Sequence, residues 1–335
     1  MGNEPDQLAT VLANRVRKNA KHLAKWAKRE AITCYRVYDR DIPEIPITID
    51  TYGGSLVIND FRASDRGGGD PWLDAMVGGA KLALEPPEVF VKQRERLVDR
   101  REGHQYGRMV EVGAWRTVTE GGHKFRVNLS DYIDTGLFLD HRTTRRLVAA
   151  EGKRTMLNLF AYTGAFSVYC AAAGMHTTTV DLSNTYTEWA KENLALNGLT
   201  GDIVQADVRE YLTDARKAGI TWDLIVADVP TFSNSKRMDY TWDVQRDHVQ
   251  FLEDLLGLIS PEGVIWFATN SRRFKMELAP TGPLDVTEMT KKTLPPDFRD
   301  QKIHKSFRIA PRGDDDGEPG APPDDDDDDD DDLYV

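Results

Sequence analysis

The second half of the chain carries the pattern that most restricts its fold, because short apolar segments alternate there with helical ones. Alternation at this spacing is typical of parallel strands joined by crossover helices, and therefore of an α/β sheet. Strands are predicted at Thr155–Phe160, Thr177–Asp181, Asp202–Gln205, Trp222–Asp228 and Gly263–Ala268. The clearest helices between them are Thr185–Asn197 and Val244–Leu258. Two more strands, Leu284–Met289 and Ser306–Ala310, would complete a sheet of seven with a late antiparallel partner.

Three acidic residues stand at the ends of these predicted strands, behind a glycine turn. Gly164 follows the first strand and permits close backbone approach, so the amides of the next helix can face a ligand carboxylate. Asp181 ends the second strand, where a carboxylate can accept hydrogen bonds from both hydroxyls of a ribose. Asp207 follows the third strand, where it can meet an adenine amine, and Asp228 ends the fourth. A single acid at such a place is commonly a helix cap, but three in order predict a pocket for S-adenosylmethionine (SAM) between about Thr155 and Pro230.

The N-terminal part predicts a smaller α+β domain. A helix is predicted over Leu8–Glu30, with apolar residues near one face and basic residues on the rest. A hairpin turn at Gly53-Gly54 separates two alternating strands. The predicted elements after the helix are strands Ile47–Asp50, Ser55–Phe61, Glu88–Val98, Arg108–Val112 and Phe125–Leu129, helix Asp70–Ala83 and a turn at Gly121-Gly122. We therefore predict four parts: a basic N-terminal helix at 1–30, a small α+β substrate-binding domain at 31–135, a methyltransferase domain at 136–311 and a disordered acidic tail at 312–335.

The net charge is concentrated in the last residues. The chain has a formal charge of −12, but 13 acidic residues and no basic ones lie in Gly313–Val335. Outside this tail there are 43 basic and 42 acidic side chains, so the net charge of the folded part is close to zero. A segment rich in Asp, Pro and Gly cannot bury enough apolar area to fold. The tail is interpreted either as a solubilising segment or as an acidic RNA mimic that screens a binding face.

Composition also restricts the compartment and the kind of site. Cys34 and Cys170 are the two cysteines, too few for a disulfide framework or a zinc cluster, and no metal site is predicted. The first residues lack the apolar core of a secretory signal, and no apolar run is long enough to cross a bilayer. We therefore expect a cytoplasmic protein without a membrane partner. Its oligomeric state is left open.

Several sequence blocks resemble one family of RNA-modifying enzymes. The run Pro230–Met238 carries the most specific likeness, together with the turn Asn158–Gly164. The chain resembles the K-type guanine-N7 methyltransferases of bacterial 23S rRNA, in the class I SAM-dependent superfamily, from about Leu12 to Ile309. This implies a Rossmann-like seven-stranded sheet with a smaller N-terminal α+β RNA-binding domain. Further matching blocks are Ala13–Arg15 with Lys18-Asn19, Cys34–Arg36, Asp134–Arg142, Val180–Ser183, Thr185–Ala190 with Asn193, and Asp243–His248.

The resemblance also implies roles for individual residues. SAM would be the cofactor, and a guanine of 23S rRNA or of a large-subunit precursor would be the acceptor. Asp228, Pro230 and Phe232 would form the catalytic acceptor pocket. The implied cofactor-binding residues are Asn158, Phe160, Tyr162, Thr163, Gly164, Asp181, Leu182, Asp207, Asp228 and Arg142. The bifunctional form of the family has a guanine-N2 half with no counterpart here, which leaves a separate guanine-N2 methyltransferase open as a partner.

The chemistry of the acceptor separates the remaining alternatives. Guanine N7 has a free lone pair and no proton to lose, so its methylation needs alignment rather than a general base. We hypothesise that Phe232 stacks on the guanine while Asp228 and Pro230 contact its edge. Val229 stands where the family has a first proline, which should loosen the pocket floor slightly. Cytosine-C5 methylation needs a thiolate, and no cysteine follows Cys170. Guanine-N2 methylation, a small-molecule or protein acceptor, and a non-catalytic RNA-binding assembly factor stay open.

Basic side chains outside the pocket predict the contacts to RNA phosphates. One stripe follows the N-terminal helix, a second spans 92–108, and two basic residues flank the base site. The predicted RNA-binding residues are Arg15, Lys18, Lys21, Lys25, Arg94, Arg96, Lys236 and Arg237. Lys92, Arg100, Arg101, Arg108, Arg272 and Arg273 extend these stripes, and His104, Tyr106 and Trp115 are candidates for stacking on unpaired bases.

Overall fold

The computed structural model describes residues 4–62, 70–94, 113–234, 240–279 and 284–311. Two predicted features lie outside the described residues, the strand Arg108–Val112 and the acidic tail 312–335. Within the described ranges, no helix is long and apolar enough to cross a membrane.

The N-terminal part is a four-stranded sheet with two helices packed on it. Its elements are α1 Glu4–Arg29, β1 Cys34–Asp39, β2 Ile47–Tyr52, β3 Ser55–Asp60, α2 Pro71–Leu84 and β4 Val89–Gln93. Strands β1, β2 and β3 pair antiparallel, and β4 joins β3 parallel after the α2 crossover. Asp70 begins α2 because its side chain accepts a hydrogen bond from the amide of Leu73. A Cβ on Gly79 would lie 2.5 Å from the carbonyl oxygen of Ala9, so this crossing of α1 and α2 requires glycine.

A two-stranded hairpin connects the two parts of the chain. Its strands are β5 Trp115–Glu120 and β6 His123–Asn128. The turn at Gly121-Gly122 lies where it was predicted, whereas β5 was not predicted. On one side the amide of Thr33 donates to the carbonyl oxygen of Thr119. On the other side the amide of Arg126 donates to Asn193 Oδ1 at 2.9 Å. The hairpin therefore contacts both parts, and the domain boundary at 135/136 stays a prediction.

A seven-stranded sheet forms from the second half of the chain, as predicted. The strands of this half are β7 Thr155–Leu159, β8 His176–Asp181, β9 Asp202–Gln205, β10 Trp222–Val229, β11 Phe232–Ser233, β12 Trp242–Asp243, β13 Ile259–Thr269, β14 Leu284–Glu288 and β15 Lys305–Pro311. The sheet order is β14-β15-β13-β10-β7-β8-β9, while β11 and β12 pair separately. The five strands from β13 to β9 run parallel, and β15 runs antiparallel to both neighbours. The late antiparallel partner is thus confirmed.

Helices cover both faces of this sheet. They are α3 Arg142–Ala149, α4 Ala165–Ala172, α5 Asn184–Leu196, α6 Val208–Lys217, α7 Val244–Leu256 and α8 Thr290–Thr293, and a 3₁₀ turn at Leu139–His141 precedes α3. Successive residues of β10 enter two different apolar cores because side chains alternate along a strand. Leu224 and Val226 pack with side chains of α3 and α4, whereas Ile225 and Ala227 pack with side chains of α6 and α7. Burial on both faces explains the continuous apolar character of this strand.

Four buried charged side chains join the hairpin, α3 and the segment before β15. The carboxylate of Glu120 accepts hydrogen bonds from Nε of Arg142 and Nε of Arg145, each at 3.0 Å. Nη1 of Arg142 donates to both oxygens of Asp297, at 2.8 and 2.9 Å. None of the four side chains is more than 7% exposed. The group is electrically balanced, since two guanidiniums face two carboxylates.

Candidate cofactor and acceptor site

The turn after β7 adopts a strained backbone conformation at the predicted pocket. Phe160, Tyr162 and Gly164 have φ angles of 52°, 51° and 73°. This left-handed region favours glycine, and non-glycine residues are held there only by surrounding structure. A Cβ on Gly164 would lie 2.8 Å from the Cβ of Ala190, so glycine also allows α4 to begin close against α5. A turn of this kind, at the carboxyl edge of a parallel strand, is a common place for a ligand.

Asp181 lies beside this turn, at the end of β8. Its Oδ2 accepts a hydrogen bond from the amide of Tyr162 at 2.9 Å, and its Oδ1 accepts one from the amide of Ser183 at 2.8 Å. Burial raises the pKa of Asp181 to about 6, while the two amides act to lower it. Each oxygen keeps acceptor capacity. A carboxylate fixed in this way can therefore accept hydrogen bonds from the hydroxyls of a ribose.

Asp207 follows β9, and its carboxylate already serves donors within the protein. It begins α6 by accepting hydrogen bonds from the amides of Arg209 and Glu210, at 2.9 and 3.3 Å. The hydroxyl of Tyr240, which was not predicted, donates to its other oxygen at 3.0 Å. Asp207 thus caps a helix. An adenine amine would have to bind the same carboxylate in addition to these donors.

Most of the other predicted cofactor residues turn their side chains into the protein. The amide of Asn158 and the hydroxyl of Thr163 hydrogen-bond to neighbouring atoms at 3.0 and 2.5 Å. The rings of Phe160 and Tyr162 pack on other aromatic rings, with centroids 5.8 and 4.5 Å apart. Leu182 is half-buried at the start of the loop after β8. These side chains support the shape of the turn.

Arg142 lies in a different environment from these residues, and its cofactor role stays a prediction. Its guanidinium donates to Glu120 and Asp297 in the buried charge network, and Nη2 donates to the carbonyl oxygen of Cys34 at 2.6 Å. A buried guanidinium is stable only where carboxylates and carbonyls compensate its charge. The structure therefore assigns Arg142 to the packing of β1 and the hairpin against α3.

The acceptor side is the segment of chain that leaves β10. Asp228 is half-buried and Val229 is buried. The carbonyl oxygen of Pro230 accepts a hydrogen bond from the indole of Trp242 at 2.8 Å. Phe232 is half-buried at the start of β11. The three predicted catalytic residues thus lie on one short segment at the same sheet edge as the Asp181 turn, because β10 and β7 are parallel neighbours.

A cluster of two histidines lies against Asp228 and was not predicted from the sequence. Nε2 of His141 lies 3.4 Å from Oδ2 of Asp228 and 3.6 Å from Oδ2 of Asp140. Nδ1 of His304 lies 3.0 Å from the same Asp140 oxygen. No local sequence signal connects His304 to the others, because 163 residues separate it from His141.

The geometry of the two histidine rings bears on whether this cluster could hold a metal ion. The ligand atoms of Asp140, His141 and His304 all lie within 4.8 Å of one another. However, the two rings stack with centroids 4.4 Å apart and an interplanar angle of 17°. An imidazole nitrogen binds a metal through a lone pair in the ring plane, and two stacked rings cannot place one ion in both planes. The arrangement therefore suits hydrogen bonding better than shared metal ligation.

Three of the predicted RNA-binding lysines are exposed on α1. Lys18, Lys21 and Lys25 are spaced by three and four residues, so they lie on one side of the helix. Arg15 lies one turn before Lys18, with a side chain that is 41% exposed and 3.9 Å from Asp41. These four residues form what we call the α1 basic face.

The second predicted stripe turns inward where the structure describes it. Nζ of Lys92 donates to the carbonyl oxygen of Tyr132 at 2.7 Å, and burial lowers the pKa of Lys92 to about 8. Arg94 donates to Asp134 at 2.7 Å. Lys92 and Arg94 thus bind groups of the protein, and their phosphate contacts stay predictions. Trp115 packs against another indole, with centroids 4.8 Å apart, and Arg272 pairs with a carboxylate. The predictions for Arg96, Arg100, Arg101, His104, Tyr106, Arg108, Lys236 and Arg237 lie outside the described residues.

The sheet order and the acid-lined carboxyl edge together define a class I SAM-dependent methyltransferase. The family model described as S-adenosylmethionine-dependent methyltransferase matches residues 91–284. The fold is similar to that of a methyltransferase crystallised in complex with SAH, with a TM-score of 0.73 and 24% identity over 90% of this chain and 81% of that chain. SAM is accordingly the cofactor, and the turn at Gly164 with the amide-held Asp181 fits its methionine and ribose groups.

Within that class, the chain belongs to the family of the ribosomal RNA large subunit methyltransferase K. It is 42% identical over 314 residues to the protein of that name from Neisseria meningitidis, covering 90% of this chain and 87% of that protein. It is 43% identical over 325 residues to the ribosomal RNA large subunit methyltransferase K/L of Shewanella loihica. That match covers 92% of this chain but 44% of the K/L protein, so this chain spans less than half the length of that relative.

Proposed function

We propose that this chain methylates N7 of a guanine in 23S rRNA, as free RNA or within a large-subunit precursor. The observation that carries the proposal is the placement of Asp228, Pro230 and Phe232 on one segment at the sheet edge that also holds the Asp181 turn. The names of the two relatives, both large-subunit rRNA methyltransferases, support the choice of acceptor. Since the K/L relative is more than twice as long, a separate guanine-N2 methyltransferase is the partner that this proposal leaves room for.

The proposed reaction asks the protein for alignment rather than for proton transfer. SAM supplies a methyl group that its sulfonium has already activated. Guanine N7 attacks with an in-plane lone pair and loses no proton, so no side chain has to act as a general base. Phe232 would hold the purine by stacking on its face, which fixes the direction of the lone pair. Asp228 would stabilise the positive charge that develops on the purine.

The state of the two cysteines speaks against the cytosine-C5 alternative. Cys34 and Cys170 are both fully buried. Burial raises the pKa of the Cys170 thiol to about 12 and raises that of Cys34 as well. A C5 reaction needs an accessible thiolate that adds to the pyrimidine. Neither cysteine meets that requirement.

One observation favours guanine N2 as a second candidate acceptor. The side chain of Asp228 is 24% exposed and carries acceptor oxygens. A carboxylate there can accept a hydrogen bond from the exocyclic amine of guanine, which would present N2 rather than N7. The two acceptors yield different methylated nucleosides and are separated by direct product analysis.

The α1 basic face supplies the proposed contact with RNA. Lys18, Lys21 and Lys25 are exposed, and no ion pair joins them to an acid among the residues that the structure describes. Unpaired lysines on one helix side can neutralise successive phosphates. Because this contact is independent of sequence, it would position the RNA while the pocket selects the base.

The test uses the full chain, SAM and 23S rRNA made without modifications. Chain cleavage specific for N7-methylguanine should give a single new stop, and nucleoside mass spectrometry should give 7-methylguanosine. N2-methylguanosine would establish the second candidate instead. Methylation of total protein or small metabolites but not of RNA would contradict the proposal. Binding of SAM, measured by calorimetry, distinguishes an inactive preparation from a non-catalytic RNA-binding protein.

A further inference from the structure

We infer that His141 is a positioning residue that holds the acceptor-side carboxylate of Asp228, an inference that rests on the proposed role of Asp228. His141 is 4% exposed and belongs to the 3₁₀ turn before α3, whereas Asp228 ends β10. Its Nε2 lies 3.4 Å from Oδ2 of Asp228, across the interface between these two elements. The contact attracts the Asp228 carboxylate if this nitrogen carries a proton and repels it if the nitrogen carries a lone pair.

The hydrogen bonds of His304 occupy Asp140, the second carboxylate beside His141. The hydroxyl of Thr293 donates to the carbonyl oxygen of Thr290 at 2.9 Å, so its oxygen accepts the proton on Nε2 of His304 at 2.9 Å. Nδ1 of His304 lies 3.0 Å from Asp140. Both nitrogens of His304 thus face acceptor oxygens, and Oδ2 of Asp140 is already engaged by this ring.

Burial favours the neutral form of the His141 ring. Burial lowers the pKa of His141, and His304 and Arg145 act in the same direction. The carboxylates of Asp228 and Asp140 act in the opposite direction without reversing the shift. At neutral pH His141 therefore carries a single N–H, whose position depends on its two neighbours.

The single proton of His141 belongs on Nε2. The hydroxyl of Thr144 lies 3.4 Å from Nδ1 and can donate to it. Nε2 lies between the carboxylates of Asp228 and Asp140, and Oδ2 of Asp140 already accepts a hydrogen bond from His304. The N–H of His141 therefore lies on the edge of the ring that faces Oδ2 of Asp228, which is 3.4 Å from Nε2. This contact leaves Oδ1 of Asp228 for the purine.

The test compares two amide substitutions that differ in reach. In His141→Gln the amide nitrogen falls near the position of Nε2 and can still donate to Asp228. In His141→Asn the amide nitrogen falls near Nδ1, one bond short. A third variant, His141→Phe, keeps a ring that can stack on His304 but has no donor. Each variant is measured with unmodified 23S rRNA for kcat and KM, and by calorimetry for SAM affinity.

We expect kcat to fall about 10- to 100-fold in the Asn and Phe variants, as loss of a polar contact to a charged group implies, with SAM affinity within about twofold of wild type. The Gln variant should recover to within about threefold of wild type. In an Asp228→Asn background, His141→Asn should add little further loss, because the two residues act as one unit.

Three outcomes would overturn the inference: a wild-type kcat in His141→Asn, equal losses in the Gln and Asn variants, or losses that multiply in the double variant. The Gln and Asn variants decide the question even where the Phe variant does not fold. If wild-type protein fails to methylate rRNA, or if Asp228→Asn alone is without effect, the proposed function or the role of Asp228 has failed instead.

Discussion

Replacing Glu120 by glutamine should unbalance the buried charge network and strongly destabilise the protein. The substitution keeps the size of the side chain but removes one of the two negative charges. Arg142 would keep Asp297 as its carboxylate partner, whereas Arg145 would lose the carboxylate that faces its Nε at 3.0 Å. The hydroxyl of Tyr169, which donates to Glu120 at 3.2 Å, would lose an ionic acceptor as well.

The magnitude follows from burial. Glu120 is 0% exposed and Arg145 is 1% exposed, so water cannot replace the lost partner. Breaking a buried ion pair by removal of one partner costs roughly 3–5 kcal/mol. Because domains are stable by about 5–15 kcal/mol in total, this loss is a large fraction of the free energy of unfolding. A double variant, Glu120→Gln with Arg145→Met, restores neutrality and should recover about half of the loss or more.

The assay is urea denaturation followed by tryptophan fluorescence, in which Trp115 and Trp189 report on the hairpin contact. The matched control is Glu192→Gln, the same chemical change in an acid that is 48% exposed and pairs with Arg126 of the same hairpin. The control should lose less than about 1 kcal/mol. Equal losses in the two variants, or a double variant less stable than Glu120→Gln, would refute the reasoning from buried charge.

Three further predictions concern binding and turnover. If SAM binds the carboxylate form of Asp181, as proposed, burial that raises the pKa of Asp181 to about 6 should make SAM affinity fall about tenfold from pH 7 to pH 5. Asp181→Asn should abolish this dependence in calorimetry. Phe232→Ala should lower turnover at least about tenfold and leave SAM affinity near wild type, because stacking on a base contributes about 1–3 kcal/mol; unchanged turnover would remove Phe232 from the acceptor site. Replacing Lys18, Lys21 and Lys25 by glutamine should weaken RNA binding and reduce the slope of log affinity against log salt by about 2–3.

The lysine prediction has a control at the opposite edge of the sheet. Lys153 precedes β7 and Lys217 ends α6, so both lie away from the carboxyl edge. Their replacement by glutamine changes the net charge in the same direction but should leave the salt slope within about 0.5 of wild type. Equal slopes for the two sets would assign the effect to total charge rather than to the α1 basic face.

The large sheet was predictable because its signals are local. Each of its seven strands lies within a few residues of its predicted bounds, and β10 and β13 contain the clearest apolar runs. Strand β1 was missed because it lacks alternation. A register shift between Arg36 and Tyr38 interrupts its pairing, and its burial does not follow a period of two. The hairpin strand β5 was also missed. Its packing against α5, through Trp115 and Trp189, joins residues far apart in the sequence, and no local pattern shows it.

The site was predictable only where its residues end successive strands. Asp181 and Asp228 were found by position, because parallel strands bring their carboxyl ends to one edge. His141 and Arg142 are adjacent in sequence, yet one contacts Asp228 and the other contacts Asp297. The directions of these two side chains depend on how the 3₁₀ turn Leu139–His141 joins α3. No periodicity in the sequence predicts that geometry.

The placement of the hairpin has a consequence for dividing this protein into working pieces. A fragment that begins at Gly136 would retain every strand of the large sheet and the whole turn at Gly164. It would also retain Arg142 and Arg145 while discarding Glu120, and would uncover the side of α5 on which the hairpin packs. Such a fragment should be expressed poorly or aggregate, whereas one that begins near Ala114 keeps the countercharge. A fragment designed to fold should therefore include the hairpin and begin about forty residues before β7, the first strand of the large sheet in chain order.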